Sequence, residues 1–203
     1  TGASRGDWSV GLRGHVPVKV AIQRSAVSEP SSITMLLLSP SEYQPVLAAR
    51  FLLVCGRLQE LLPRAVVEHM GSSAVAGALS KGDLDVCVLV PPWDHSATVG
   101  RLTTFGYVEK VDTLQTPELC MLEWSGQGEE HAVQLVAQGS AFEMFLTFRD
   151  ALRSNADLVL EYNHVKSRAA HLPDAAYREA KSRFIERVLV EHQAALGCST
   201  RSR

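Results

Sequence analysis

Apolar residues recur with a helical period in one stretch of this chain and form short runs in two others, and the order of these patterns predicts the elements of its first half. Residues 39–62 place apolar side chains three and four positions apart, which is the period of an amphipathic helix. Residues 65–70 and 83–90 are short apolar runs that predict buried strands. Small residues at 73–79, between the two strands, predict a short helix just after a Gly-Ser turn.

The second half of the chain is mostly helical in pattern. Residues 95–107 predict a helix, and residues 118–138 predict a β-hairpin with two apolar runs around a Gly-Gln-Gly turn. Three further helices are expected over 142–154, 156–171 and 173–196. This order predicts an α/β (α+β) fold: a small mixed sheet with helices on one face, followed by a C-terminal helical section.

These patterns divide the chain into four parts. Residues 35–145 form the predicted core, and residues 146–197 form helices packed on it. Residues 1–34 are an N-terminal extension of mixed pattern, predicted to be flexible or to add one strand, and residues 198–203 are a short tail. Met35 stands directly before the patterned part, so whether the residues before it are native stays open.

Composition narrows the classes of function. The 203 residues suit one domain with a full hydrophobic core. The net charge of −2 argues against nucleic acid as a partner, because there is no overall basic field. No apolar run reaches the roughly 20 residues of a membrane span, and the first residues lack the order of a secretory signal. The four cysteines lie far apart, which indicates reduced thiols and a cytoplasmic location.

Asp83 and Asp85 are the first residues that indicate chemistry. Successive strand residues point to opposite faces, so both carboxylates are expected on one face while Leu84 enters the core. Adjacent carboxylates repel unless a cation neutralises them, and Mg²⁺ prefers such oxygen ligands together with waters and phosphates. Gly71 and Ser72 precede a predicted helix, whose first N–H groups can bind a phosphate. The alternative is structural: an acidic turn before a strand, with serine as a helix cap.

This arrangement resembles the nucleotidyltransferase superfamily of polymerase beta-like fold, in which a Gly-Ser turn precedes an Asp-x-Asp strand. More narrowly, residues 68–83 and the C-terminal helices resemble the GrpB family, and the resemblance covers residues 39–190. The matching residues are Glu68, His69, Gly71, Ser72, Ser73, Val75, Gly77, Lys81, Phe148, Arg149, Asp150, Leu152, Tyr162, Lys166, Tyr177, Lys181, Phe184 and Ile185.

The resemblance implies Mg²⁺-dependent transfer of a nucleotidyl group from a nucleoside triphosphate to an unknown acceptor. Asp83 and Asp85 would be the catalytic, metal-binding carboxylates, and the partner would be a small-molecule nucleotide. The residues implied to bind the nucleotide and its phosphates are Gly71, Ser72, Ser73, His69, Lys81, Arg149, Lys166 and Lys181. The basic residues have a structural alternative on a solvated loop or helix face, and His69 could equally be a hydrogen-bonded structural histidine.

The chain departs from the superfamily pattern at one position. The superfamily places a third carboxylate on a neighbouring strand, and the matching residue here is Gln134. A glutamine side chain is neutral and does not act as a general base. Glu123 and Glu130 lie nearby in sequence, but the pattern does not fix their faces. A second hypothesis therefore stands beside the enzyme: a noncatalytic nucleotide-binding or interaction domain on the same fold.

Overall fold

The sheet is described by a computed structural model that covers residues 35–128 and 130–199. Its strands are β1 (Val66–Met70), β2 (Asp85–Val90), β3 (Tyr107–Glu109), β4 (Leu119–Trp124) and β5 (Ala132–Ala137). They form one sheet in the order β1-β2-β5-β4-β3. β2 and β5 pair in parallel and the other neighbouring pairs are antiparallel, so the sheet is mixed, as predicted.

The helices are α1 (Pro40–Leu61), α2 (His95–Phe105), α3 (Met144–Ser154), α4 (Ala156–Ala169) and α5 (Asp174–Ser199). α1 begins at a capping box, in which the Ser39 backbone N–H donates to the Glu42 carboxylate at 2.6 Å. The buried side chains of α1 lie on one face of the helix; they are Tyr43, Leu47, Val54 and Leu58. The apolar period therefore predicted this helix to within one residue at each end.

The two faces of β2 have different neighbours. Val86 and Val88 belong to the main core, which α1 and α2 cover, and so does Leu84 just before the strand. Cys87 faces the other way and belongs to a second cluster with residues at the start of α3. Asp85 shares the face of Cys87, because residues alternate along a strand. The helices α1 and α2 thus cover one face of the sheet, and Asp85 lies on the other.

The C-terminal helices pack on the segment between β1 and β2. Val75 and Ala78 of that segment join a third cluster with Leu152, Tyr162 and Phe184, which come from α3, α4 and α5. The predicted C-terminal helical section is present, and it packs directly against the Gly-Ser turn. α3 begins at Met144, close to the predicted division of the chain.

Two elements differ from the sequence prediction. The short helix expected at 73–79 is wrong, because a single 3₁₀ turn, Ser72–Ala74, forms there. Gly77 has a φ of +78°, a left-handed conformation that a right-handed helix does not continue. β3 is absent from the prediction, because its three residues are too few to show a period.

Parts of the prediction lie outside the described residues, namely residues 1–34, Glu129 and residues 200–203. Within the described ranges, no helix is both long and apolar enough to cross a membrane. The domain bounds and the cytoplasmic location stay predictions.

Candidate functional site

The turn after β1 brings the backbone against a carboxylate. Gly71 has a φ of +73°, and a Cβ atom at this position would lie 2.4 Å from Asp85 Oδ2. Glycine alone allows both the left-handed conformation and this close approach. The register of the sheet explains the contact, since Met70 at the end of β1 pairs with Asp85 at the start of β2.

Side chains from two helices hold the Gly-Ser loop, which we define as residues 71–82. Tyr43 and Gln44 of α1 donate hydrogen bonds to two loop carbonyls, at 2.6 and 2.7 Å. Asn163 of α4 accepts from one loop N–H at 2.7 Å and donates to a loop carbonyl at 2.8 Å. The loop backbone therefore bonds to side chains in place of the expected helical partners, and it is fixed between α1 and α4.

Asp83 and Asp85 lie together at the start of β2, on either side of the buried Leu84. Asp83 is exposed, whereas Asp85 is half-buried. Burial, followed by the charge of Asp83, raises the pKa of the Asp85 carboxyl group, and the ammonium group of Lys181 acts in the opposite direction. The two carboxylates repel each other, and a bound cation would relieve that repulsion.

Gln134 lies beside this pair on β5, the strand parallel to β2. Its Nε2 donates to Asp85 Oδ1 at 3.5 Å, a long and weak hydrogen bond. The side chain is 3% exposed, and its Oε1 is buried without a hydrogen-bond partner among the described residues. The residue matched to the third carboxylate therefore contacts Asp85, but as a neutral donor.

A cavity of about 210 Å³ opens between the Gly-Ser loop and the C-terminal helices, and we term it the loop cavity. Its polar lining includes Ser72, Lys81, Asp83, Asp85, Arg149, Lys166 and Lys181. Its less polar wall includes Phe145, Phe148, Tyr162 and Tyr177. The structure thus brings most of the predicted site residues around one cavity.

His69 and Ser73 do not line the loop cavity. His69 Nε2 and Ser73 Oγ form a hydrogen bond of 3.0 Å, and the imidazole stacks on Phe51 with ring centres 4.7 Å apart. Burial, followed by the charges of Arg153 and Arg149, lowers the pKa of His69 to about 4, so the ring is neutral at pH 7. These contacts are those of a structural histidine, and its role toward a nucleotide stays a prediction.

Lys166 is a buried lysine in the wall of the loop cavity, with 1% of its surface exposed. Its ammonium group donates to Ser72 Oγ at 3.3 Å and to the Leu79 carbonyl, and it lies 4.2 Å from the centre of the Tyr162 ring. Burial, followed by the charge of Lys181, lowers the pKa of Lys166 to about 7. An anion in the cavity would favour the charged form of this lysine.

Lys81 and Lys181 flank Tyr177 at the same cavity. Their ammonium groups lie 5.2 and 5.4 Å from the centre of its ring. Lys81 also lies 3.9 Å from Asp174, in a partly exposed ion pair. Together with Lys166, these lysines place three side-chain amino groups around the loop cavity.

Arg149 is held by carboxylates on both sides. Its guanidinium donates to Glu68 and to Asp150, each at 2.7 Å, and to the His69 carbonyl at 2.8 Å. The residue is 7% exposed, so these bonds tie α3 to β1 in the cavity wall. Phosphate binding by Arg149 stays a prediction.

The carboxylate pair can supply two of the ligands of a Mg²⁺ ion. In the described part of the chain, no cluster of three or more His, Cys, Asp or Glu side chains is placed to hold a metal ion. Mg²⁺ commonly takes one or two carboxylates and completes its shell with waters and substrate phosphates. Asp83 and Asp85 offer that number, and their repulsion favours a cation. The donor set therefore suits Mg²⁺ bound together with a phosphate ligand.

A second cavity, of about 570 Å³, shares Asp83 and Asp85 with the loop cavity. We term it the outer cavity. Its other polar lining residues are Arg50, Lys110, Glu123, Glu130, His131 and Gln134. The structure thus places Glu123 and Glu130 in the wall of this cavity, whereas Gln134 is the residue bonded to Asp85.

The fold and the site define a small α/β protein with a paired-carboxylate cleft beside a Gly-Ser loop. The family model of the GrpB protein matches residues 40–191, and the chain belongs to the GrpB family. A UPF0157 protein of Vibrio cholerae is 51% identical over 129 residues, which are 64% of this chain and 68% of that protein. A UPF0157 protein of Deinococcus radiodurans is 31% identical over 146 residues, which are 70% and 75% of the two chains.

The likeness to solved structures concerns the fold alone. The crystal structure of conserved protein GrpB from Enterococcus faecalis is similar with a TM-score of 0.57 and 20% identity, over 75% of this chain and 98% of that chain. The predicted family and fold class are thus confirmed. A structure of the Cid1 poly(U) polymerase with Mg 3′-dATP is similar with a TM-score of 0.46 and 22% identity, over 66% of this chain and 43% of that chain. A likeness of that extent does not identify an activity.

Sequence reasoning missed the residues that hold the Gly-Ser loop and part of the cavity wall. Tyr43, Gln44 and Asn163 bond to the loop from helices that are distant in sequence. The available signal was the presence of polar side chains on amphipathic helices, and this signal does not identify their hydrogen-bond partners. Tyr162 and Tyr177, which match the family pattern but were assigned no role in the site, are buried and also line the loop cavity.

Proposed function

We propose that this chain binds Mg²⁺ and a nucleoside triphosphate in the loop cavity and transfers the nucleotidyl group to a second small molecule. The observation that carries the proposal is the Asp83–Asp85 pair, which lines the same cavity as three lysines. The carboxylates suit Mg²⁺, and the ammonium groups suit the triphosphate. Opposite charges are therefore arranged as a metal–triphosphate complex requires.

The transfer forms a bond between an acceptor oxygen and the α-phosphorus, and it breaks the bond from that phosphorus to the departing pyrophosphate. Bound Mg²⁺ would supply charge stabilisation at the attacking and leaving oxygens. Gly71 lets the Asp85 carboxylate lie against the backbone of the Gly-Ser loop, beside which the phosphates would bind. Lys166 and Lys181 offset the charge of the departing pyrophosphate. The aromatic wall at Phe148 keeps water away from the nucleobase of the bound triphosphate.

A second candidate function is nucleotide binding without transfer. Gln134 favours it, because a neutral amide stands beside Asp85 where the superfamily has a third carboxylate. In that case the loop cavity would bind the same Mg²⁺–nucleotide complex and release no pyrophosphate.

Calorimetry with each common ribonucleoside triphosphate, with and without Mg²⁺, tests the binding part of the proposal. We expect Mg²⁺-dependent binding that the double variant Asp83→Asn/Asp85→Asn loses. The matched control is Asp94→Asn, an aspartate paired with Arg101 outside both cavities, and it should bind as the wild type does. Binding that is indifferent to the double variant would remove both candidate functions. Pyrophosphate release across a panel of acceptors then separates transfer from binding alone.

A further inference from the structure

We infer that the outer cavity binds an acceptor whose attacking oxygen is already an anion, as in a phosphate or carboxylate group. The inference rests on the proposed nucleotidyl transfer and specifies the class of its second substrate. Asp83 and Asp85 line both cavities, so a molecule in the outer cavity lies beside the same carboxylates as the nucleotide. A volume of about 570 Å³ is that of a small-molecule site.

Gln134 is the residue that points to an anionic nucleophile. It is buried, it lines the outer cavity, and it donates to Asp85. An amide does not take up a proton at neutral pH, so Gln134 cannot activate a hydroxyl group. The oxygen of a carboxylate or a phosphate monoester has already lost its proton at pH 7 and needs no base.

Other bases in the wall of the outer cavity are engaged or exposed. His131 Nε2 and Tyr107 Oη lie 2.7 Å apart, in a buried hydrogen bond. The carboxylate of Glu123 forms an ion pair with Lys110. Glu130 is exposed to solvent. None of these groups contacts Asp85 as Gln134 does, so the wall offers no substitute for the missing carboxylate among the described residues.

Arg50 supplies the positive charge that an anionic acceptor needs. It is half-buried on α1 and lines the outer cavity. Across the described ranges, its side chain has no ion pair or hydrogen bond, whereas Lys110 is paired. A guanidinium binds phosphate or carboxylate through two parallel N–H bonds. Among the described lining residues, Arg50 and Lys110 alone are lysine or arginine, which is too few to follow an RNA backbone and favours a small acceptor.

The step balances without a base when the acceptor is anionic. Its oxygen forms the bond to the α-phosphorus, the bond to pyrophosphate breaks, and no proton leaves the acceptor. The products are pyrophosphate and an anhydride: a phosphoanhydride from a phosphate acceptor, or a mixed anhydride from a carboxylate.

The test uses the full chain with Mg²⁺ and without nucleotide, because Mg²⁺ would neutralise the Asp83–Asp85 pair and the absence of nucleotide keeps the result separate from nucleotide binding. The probes are inorganic phosphate and acetate, followed by the indole N–H NMR signal of Trp124, which lines the outer cavity and is assigned with Trp124→Phe. We expect a saturable shift, and the more effective anion identifies the acceptor class. Arg50→Gln should weaken the apparent affinity about tenfold. Arg183→Gln, at an exposed arginine, should leave it unchanged.

A second variant tests the role assigned to Gln134. Gln134→Glu places a negative charge where the anion would bind and should weaken phosphate or acetate binding about tenfold. Gln59→Glu, on the exposed side of α1, adds the same charge elsewhere and should have no effect.

Three results would overturn the inference. They are an absent shift with both anions, an Arg50→Gln variant that binds as the wild type does, and a short RNA oligomer that shifts the Trp124 signal where phosphate and acetate do not. Loss of nucleotide binding with anion binding intact would instead remove the proposed transfer and leave the anion site in place.

Discussion

A Cβ atom at residue 71 would lie 2.4 Å from the carboxylate of Asp85. Asp85 can therefore occupy its position only because residue 71 is a glycine. The contact joins the end of β1 to the start of β2, where the antiparallel register pairs Met70 with Asp85. The Gly-Ser turn and the Asp-x-Asp strand are therefore one structural unit, and a change in the turn displaces the carboxylate.

Gly71→Ala is expected to lower the free energy of unfolding by about 1–3 kcal/mol and to abolish Mg²⁺-dependent nucleotide binding, because the methyl group meets Asp85. Urea unfolding and calorimetry measure the two effects. The matched control is Gly139→Ala, since Gly139 has a φ of +78° and nothing lies within 4 Å of an added Cβ. Gly139→Ala should lose stability because of its left-handed backbone and should keep Mg²⁺-dependent nucleotide binding. Equal nucleotide affinities in the two variants would contradict the role of the contact between residue 71 and Asp85.

Lys166 is expected to make stability rise with pH above neutrality. Its pKa is about 7 in the folded chain, against about 10.4 in an unfolded one. Between these values the unfolded chain binds more protons, so the free energy of unfolding gains up to about 1.4 kcal/mol per pH unit from this group, and its unfavourable contribution is complete below pH 7. Urea unfolding from neutral to mildly alkaline pH should show this rise in the wild type. Lys166→Met should lack it, and equal slopes would contradict the prediction.

Arg149→Leu is expected to lower the free energy of unfolding by about 2 kcal/mol, because it leaves the His69 carbonyl and the Glu68 carboxylate without their donor. The partly exposed carboxylates can regain water, which limits the loss. Arg183→Leu removes an exposed pair with Glu179 and should cost less than about 0.5 kcal/mol. Similar losses in both variants would show that Arg149 does not tie α3 to β1.

Gln134→Glu is expected to strengthen Mg²⁺ binding, because it adds a third carboxylate beside Asp85. Without metal the added repulsion should lower the melting temperature, and Mg²⁺ should restore it by more than it raises that of the wild type. Thermal unfolding over a Mg²⁺ series measures both changes, with Gln59→Glu as the control. A Mg²⁺ response no larger than that of the wild type would mean that Gln134 does not stand in a metal-binding position.

The helices and strands could be predicted where their apolar pattern lies within one continuous stretch of sequence. α1 and the β4–β5 hairpin carry their periods within one stretch of sequence, and both formed where expected. The Gly-Ser loop could not be predicted in the same way. Its small residues favour a helix locally, whereas Tyr43, Gln44 and Asn163 bond to its carbonyls across the fold.

The positions of candidate-site residues could be predicted where those residues form a motif at fixed spacing. Gly71, Ser72, Asp83 and Asp85 met at one cavity because a turn and a strand start are defined by nearby residues. The lowered pKa of Lys166 depends on burial by helices that are distant in sequence, and no sequence pattern reveals such burial. The same holds for Arg50, whose position at the outer cavity depends on how α1 packs on the sheet.

The central claim is that Asp83 and Asp85 hold a divalent metal together with a nucleoside triphosphate in the loop cavity. A crystal structure of the chain with Mn²⁺ in place of Mg²⁺ and a non-hydrolysable triphosphate analogue tests it most directly. The account predicts an anomalous Mn²⁺ peak between the two carboxylates, with the triphosphate along the Gly-Ser loop. A saturated crystal with no Mn²⁺ peak at these aspartates, or with the nucleotide bound elsewhere, would contradict it.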